Sequence, residues 1–142
     1  MKELSLRGRT YPGDLNHNGK AFGGFIMSKM DKAASIAVEN MMIGNAVTIS
    51  VSNLEFKKPV NNGDIFSIYT DITYIGNSSI KVYVDFCTTC KETKEENSVT
   101  HATFTFVCVD EDGNSAKVRD YARKNLSHDL QAMLLPPEED SK

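Results

Sequence analysis

A chain of 142 residues, 40% of them hydrophobic, is long enough for one domain with a real core and too short for two ordinary ones. Its formal charge of -3, from 16 Lys and Arg against 19 Asp and Glu, excludes nucleic acid as the main partner, because phosphate backbones are bound by basic faces. The opening MKELSLRGRTYPGD has no signal-peptide apolar run, and no stretch of about 18 apolar residues occurs anywhere, so a cytoplasmic protein with no membrane insertion is expected.

In chain order, Leu4 to Arg9 reads as a short strand and is followed by a long polar loop. A helix is predicted from Gly23 to Met42, because Phe22, Ile26, Met30, Ala33, Ala34, Ala37, Val38, Met41 and Met42 recur at steps of three and four. Lys29, Lys32 and Glu39 lie off that stripe, and Gly44-Asn45 supplies the stop.

The period then changes to two. Val47, Ile49 and Val51 are expected on one face, with Leu54 and Phe56 in the opposite parity, which predicts a bulge or sharp bend near Ser52-Asn53. Asn61 to Asp64 marks a turn. Phe66, Ile68, Ile72 and Tyr74 alternate, Gly76-Asn77-Ser78 turns the chain, and Ile80, Val82, Val84 and Phe86 alternate again. Lys91 to Asn97 reads as a polar loop, and Ala102, Phe104, Phe106 and Cys108 define a last strand closed by Asp110 to Gly113. From Arg119 onward a short amphipathic helix is expected around Tyr121, Leu126 and Leu130, with a frayed end from Pro136-Pro137. One long apolar helix followed by a run of antiparallel strands implies an α+β layout, a curved sheet wrapped around that helix. The whole chain, 1–142, is read as a single domain with its core over about 4–113 and a tail over 119–142.

Three cysteines do not build a disulfide framework. Cys87 and Cys90, three apart on a strand, point to opposite faces, which spoils a shared metal or redox site. His17, His101 and His128 are too scattered to form a ligand cluster in sequence.

The segment with most chemical content is Asp14 to Asp31. A polar turn runs through Phe22-Gly23-Gly24 into a helix with a lone carboxylate, Asp31. Gly23 and Gly24 let a ligand approach the backbone at a helix start, where unpaired N–H groups and the positive dipole end favour negative charge. Asn16 and Asp31 are the polar side chains placed to act there. The bland alternatives are a loop Asn that bonds its own backbone and a solvated Asp flanked by Lys29 and Lys32.

Taken together, the D-x-N-x-N-G-x-x-F-G-G run (Asp14 to Gly24), Met30-Asp31, Val47-Thr48, F-x-K-P (Phe56 to Pro59), Gly63-Asp64 and G-x-S-S-I (Gly76 to Ile80) resemble the hotdog-fold acyl-CoA thioesterases, closest to the YciA-type and cytosolic acyl-CoA hydrolase branch. The resemblance spans roughly Pro12 to Gly113. It implies a hotdog fold and hydrolysis of an acyl-CoA to the free acid and coenzyme A, without metal or organic cofactor. It assigns Asp31 as the acid that activates water or attacks directly, and Asn16 with a backbone N–H near Gly23 or Gly24 as the carbonyl-polarising site. Ser35, one turn beyond Asp31, is a candidate to hold the carboxylate or the water, and Thr48 is a possible wall of the site.

Gly23 and Asp31 are eight residues apart, about 12 Å along the axis at ~1.5 Å rise per residue. One thioester cannot touch both. The expected unit is therefore at least a homodimer with antiparallel helices and two composite sites, which the resemblance extends to a trimer of dimers. For the phosphates of coenzyme A, Lys57 and Lys58 and the turn of Gly76, Ser78 and Ser79 offer ammonium groups, hydroxyls and backbone N–H groups; Asn77 stands where relatives often carry a basic residue. Two rivals remain: a dehydratase, disfavoured because the long helix contains no His, and a non-catalytic acyl-CoA-binding or sensing module.

Overall fold

The computed structural model describes residues 2–134. Along the chain come strand β1 (Glu3–Arg9), a 3-10 turn (Pro12–Asp14), helix α1 (Gly23–Met41) and strands β2 (Asn45–Phe56), β3 (Ile65–Ile75), β4 (Ser79–Thr89) and β5 (Glu96–Val109). Two short helices follow, α2 (Val118–Tyr121) and α3 (His128–Met133). The strands pair antiparallel in one sheet, ordered β1-β3-β4-β5-β2. Helix α1 packs against β1 and β2 at opposite edges as well as β3 and β4, so the sheet curls around it, the α+β layout expected from the periodicities.

The helix forms where the three-four pattern places it, burying Ile26, Met30, Ala33, Ala34, Val38 and Met41. Phe22 departs from the stripe: as the N-cap it has extended backbone, φ -61° and ψ 140°, and its ring is 49% exposed. At the other end Gly44 adopts φ +135°, and a Cβ there would lie 2.9 Å from Tyr121 Cδ1, so the helix stop needs glycine twice over. The last-turn carbonyls, which have no intrahelical donors, are taken by the tail: Arg123 donates Nε and Nη2 to Glu39 O (3.2 and 3.1 Å) and its backbone N–H to Met41 O (2.9 Å).

On the helix-facing side of the sheet, Phe66, Ile68, Ile72, Ile80, Val82, Val84, Phe86, Ala102, Phe104, Phe106 and Cys108 form one buried layer with the helix stripe. Phe66 stacks on Phe86 with centroids 5.0 Å apart and meets Phe25 edge-on at 6.0 Å.

Bulges alter the expected faces. The register shift between Ser52 and Glu55, with Asn53 at φ 57°, is the predicted bend in β2, but a second shift lies between Thr48 and Ser50. Val47, Ile49 and Val51 therefore do not share a face. Thr48 and Val51, opposite buried Phe106 and Phe104, turn toward α1, while Val47 and Ile49 are 48% and 59% exposed on an edge strand. A shift between Ile72 and Tyr74 likewise throws Tyr74 outward, 50% exposed, and buries Ile75 in its place. Strand β5 begins at Glu96, inside the segment read as loop, because Glu96 and Asn97 pair with Thr89 and Thr88. The tail helix is two pieces with Leu126 between them, and Pro136-Pro137 lies outside the described residues.

Candidate active site

Four segments meet around the first half of α1: the loop before it, its first turn, Asp31 two turns further on, and edge strand β2. The loop is closed by Leu15 bridging Ala21, by Asn16 N–H donating to Lys20 O (2.6 Å) and by Phe22 N–H donating to Asp14 O (3.0 Å). Gly19, at φ +78°, makes the turn. Asn16 Oδ1 accepts the N–H groups of Asn18 (2.9 Å) and Lys20 (3.2 Å). The turn-forming role foreseen for a loop Asn is thus real, and it has a chemical consequence: with Oδ1 engaged, the Nδ2 protons are the group's remaining hydrogen-bonding capacity, as donors.

At the helix start Phe22 provides no side-chain cap, so the first-turn N–H groups keep their donor capacity beside the positive end of the helix dipole. A Cβ at Gly23 would come within 3.4 Å of the Phe56 ring, whereas one at Gly24 would meet nothing within 4 Å. Gly24 is the open approach to the backbone.

Asp31 is half-buried beside Met30 and Ala34, both fully buried. Its Oδ1 accepts a 2.6 Å hydrogen bond from Thr48 Oγ1. This partner was the one undervalued by sequence, where a strand Thr is explained well enough by β-propensity. Ser35 does not take that role: its hydroxyl donates to Lys32 O at 2.7 Å, the back-bonding typical of a mid-helix Ser. Lys29 does not flank the carboxylate as an ion-pair partner either; its ammonium lies 5.6 Å from the centroid of the Phe25 ring.

The two groups expected to hold phosphates are not neighbours within the chain. Lys57 and Lys58, both exposed, follow Phe56, which pairs with Thr100 of β5, at the end of the sheet near the α1 start. The Gly76–Ser79 turn is tied by Gly76 N–H to Ser79 O (2.7 Å) and precedes the pairing of Ser79 with Val107. Thr100 and Val107 are seven strand residues apart, roughly 23 Å at ~3.3 Å per residue. One phosphate cannot bridge them in a single copy. Asn77 and Ser78 carbonyls also accept Val118 and Cys108 N–H groups, at 2.9 and 2.7 Å, which fixes the turn against the start of the tail.

The remaining candidates are dispersed. His17 is in the entry loop, His101 lies beside Tyr83 on the outer sheet face with centroids 5.9 Å apart, and His128 begins α3. Among the described residues no group of three or more His, Cys, Asp or Glu gathers as metal ligands. Cys87 is buried, and desolvation with the nearby Asp85 carboxylate pushes its thiol up to about 12, whereas Cys90 is lowered by hydrogen bonding from Thr93.

Residues 18–91 match the family model described as thioesterase superfamily. An uncharacterized acyl-CoA thioester hydrolase of Haemophilus influenzae is 38% identical over 118 residues, covering 81% of this chain and 77% of that one. The acyl-CoA thioester hydrolase YciA of Salmonella typhimurium is 33% identical over 114 residues, 78% of this chain and 86% of its own length. Among solved structures, the hexameric broad specificity acyl-coenzyme A thioesterase HI0827 superposes with a TM-score of 0.81 at 34% identity, over 92% of this chain and 94% of that one. The acyl-CoA hydrolase of Staphylococcus aureus, solved with butyryl coenzyme A and coenzyme A, gives 0.76 at 28% identity over 82% and 71%. That enzyme has also been solved with an Asn, an Asp fifteen positions later and a Thr seventeen beyond the Asp each replaced by Ala. With its helix wrapped in a five-stranded antiparallel sheet and these relatives, the chain belongs to the thioesterase superfamily and has the hotdog fold.

Proposed function

We propose that this protein hydrolyses acyl-CoA thioesters to the free acid and coenzyme A, at sites built between two copies of the chain. The observation that carries the reading is the Thr48–Asp31 hydrogen bond, which fixes a helix carboxylate against the sheet edge. Asn16, Asp31 and Thr48 have the same fifteen- and seventeen-residue spacing as the Asn, Asp and Thr probed in the Staphylococcus aureus hydrolase, which supports treating them as one unit.

In the proposed chemistry the thioester carbonyl oxygen takes hydrogen bonds from the Gly24 backbone N–H and the Asn16 amide of one copy, where developing negative charge is favoured. Asp31 of the second copy either accepts a proton from an attacking water or attacks the carbonyl carbon itself. In the first route a C–O bond forms to the water oxygen, the C–S bond breaks and the proton passes from Asp31 to the coenzyme A thiolate; in the second the C–S bond breaks to leave an acyl anhydride on Asp31, which a water then cleaves to release the acid, restore Asp31 and supply the proton for the thiolate. No metal or organic cofactor is needed for this sequence. Ser35 lies one turn from Asp31 and, with its own proton engaged, is left as an acceptor for the water.

Pairing is assigned to β2. It is an edge strand of 12 residues with Val47 and Ile49 48% and 59% exposed, and antiparallel joining of two such edges sets the helices antiparallel as the ~12 Å separation of glycine turn and carboxylate demands. The same pairing directs Lys57 and Lys58 of one copy toward the sheet end that carries the Gly76, Ser78 and Ser79 turn of the other, a joint cradle for the coenzyme A phosphates. Assembly into a trimer of dimers is in keeping with the hexameric relatives. Three cysteines, all free, suit a cytoplasmic location.

Release of free thiol from a panel of acyl-CoAs, run for wild type and Asp31→Asn, tests the reading. The expected result is turnover by wild type and loss of most of it in the variant with binding retained. Acyl-CoA binding without thiol release by wild type would instead identify a sensing module.

A further inference from the structure

A cleft of about 440 Å³ runs between edge strand β1 and the first turns of α1. It lies away from the carboxylate site. Strands β1 and β2 are opposite edges of the sheet, and Lys29, which lines the cleft, is about 200° around the helix from Asp31 at ~100° per residue. The floor is apolar: Leu6 and Gly8 turn toward α1 opposite Ile68 and Phe66 of β3, and half-buried Phe25 closes the helix side. Gly8 has no side chain to meet the Phe66 ring, which would lie 2.7 Å from a Cβ there, so the ring itself reaches the floor.

The walls are cationic. Arg7 and Arg9, alternating with Leu6 and Gly8, line the strand side, and Lys29 lines the helix side with its ammonium 5.6 Å from the centroid of Phe25. Among the described residues neither Arg7 nor Lys29 has a carboxylate partner, and Arg9 commits Nη1 to Gly63 O at 3.0 Å. Among the described residues that line the cleft the one carboxylate is Asp14, whose Oδ2 accepts the Tyr11 N–H at 2.9 Å. Three cations against one carboxylate, in a chain of net charge -3, make a local field that selects anions. Charges on an edge strand also guard it against pairing. That role needs no apolar well beneath them and gives no reason for a third cation on the helix.

We propose that this cleft is a second binding site, for a medium-chain carboxylate whose chain lies on Leu6, Phe25 and Phe66 and whose carboxylate is held by Arg7 and Lys29. The volume sets the size: at roughly 30 Å³ per water-sized group, 440 Å³ takes about 15 such groups, a carboxylate and roughly ten carbons with room left at the open side. Such an acid is what hydrolysis of a medium-chain acyl-CoA releases. The choice of ligand therefore rests on the hydrolase reading, and adds to it a place where the product is held outside the composite site.

The test titrates decanoate, hexanoate, decanol and decyltrimethylammonium calorimetrically into the full-length protein at neutral pH, its composite sites filled beforehand with decyl-coenzyme A, the non-hydrolysable thioether. Wild type should bind one decanoate per chain, about 10- to 100-fold more tightly than hexanoate, from burial of much of four further methylenes. Decanol and the cation should bind about 5-fold or more weakly than decanoate, having no charge to pair with Arg7 and Lys29 or the wrong one. Arg7→Gln/Lys29→Gln should weaken decanoate about 5- to 30-fold, while Lys91→Gln/Lys124→Gln, the same loss of charge at two exposed lysines elsewhere, should leave it within about twofold. No decanoate binding, decanol binding as tightly as decanoate, or decanoate affinity unchanged in Arg7→Gln/Lys29→Gln overturns the proposal. Those results leave the hydrolase reading standing; it fails separately if decyl-coenzyme A does not bind and decanoyl-CoA releases no thiol.

Discussion

Replacing Thr48 by Val keeps the shape and β-branching of the side chain but removes the 2.6 Å hydrogen bond to Asp31 Oδ1. A hydrogen bond to a charged group contributes about 1.5–3 kcal/mol. Asp31 is half-buried and Thr48 exposed, so solvent competes and the lower part of that range applies, about 1.5–2 kcal/mol. At ~1.36 kcal/mol per tenfold in rate, the expected loss is about 10- to 30-fold in kcat. KM should move less than about twofold, because Thr48 holds the carboxylate and not the substrate. The melting temperature should fall by only a few degrees, because the same hydrogen bond also contributes to the folded state while the strand position itself is exchanged between two good strand formers. Initial-rate thiol release over a substrate range, beside a thermal melt, reads all three quantities. A kcat within twofold of wild type would show that Asp31 is not positioned by Thr48.

Asn16→Asp separates the two roles of that side chain: the carboxylate still accepts from Asn18 and Lys20 N–H but has no amide donor, so thiol release should fall about 10²- to 10³-fold with little change in melting temperature. Gly8→Ala would set a Cβ 2.7 Å from Phe66 Cζ, inside the Phe25–Phe66–Phe86 cluster, and should lower stability in a urea melt by about 1–3 kcal/mol without touching the site. At pH 8 the thiols should alkylate in a fixed order: Cys90, lowered and partly exposed, first, and Cys87, buried and pushed up to about 12, only after unfolding, as mass spectrometry of iodoacetamide-treated protein would show.

What the sequence disclosed follows from which interactions are periodic. From Ile26 to Met41 the α1 stripe, like the alternations of β4 and β5, reaches the structure because burial on one face repeats along the chain, and no bulge interrupts residues 80–86 or 102–108. Tyr74 and Val51 escaped because one extra residue in a strand inverts every face after it, and nothing in the composition of Thr73 or Ile49 announces that residue. Asn16, Gly24 and Asp31 stand out in the sequence because they lie in one short stretch around the start of α1. Thr48 stands out only within a Val-Thr pair and as a possible wall, since its hydroxyl reaches Asp31 only after β2 folds beside α1, seventeen residues from its partner. Ser35 shows the converse: helical spacing puts it near Asp31, but only the structure shows that the local Lys32 carbonyl takes its proton and leaves its oxygen as an acceptor. The distance between Lys57-Lys58 and the Gly76 turn required the pairing register.

The composite site is tested most directly by mixing two disabled variants, Asp31→Asn and Asn16→Asp, through co-expression or dissociation and reassembly. If each site draws Asp31 from one copy and Asn16 from the other, a mixed dimer carries one fully intact site and one doubly altered site. With equal mixing half the dimers are mixed, so activity should rise from near zero to about a quarter of wild type. Subunit exchange proved by mass spectrometry with no recovery of thiol release would mean that Asp31 and Asn16 act within one chain, contrary to the account given.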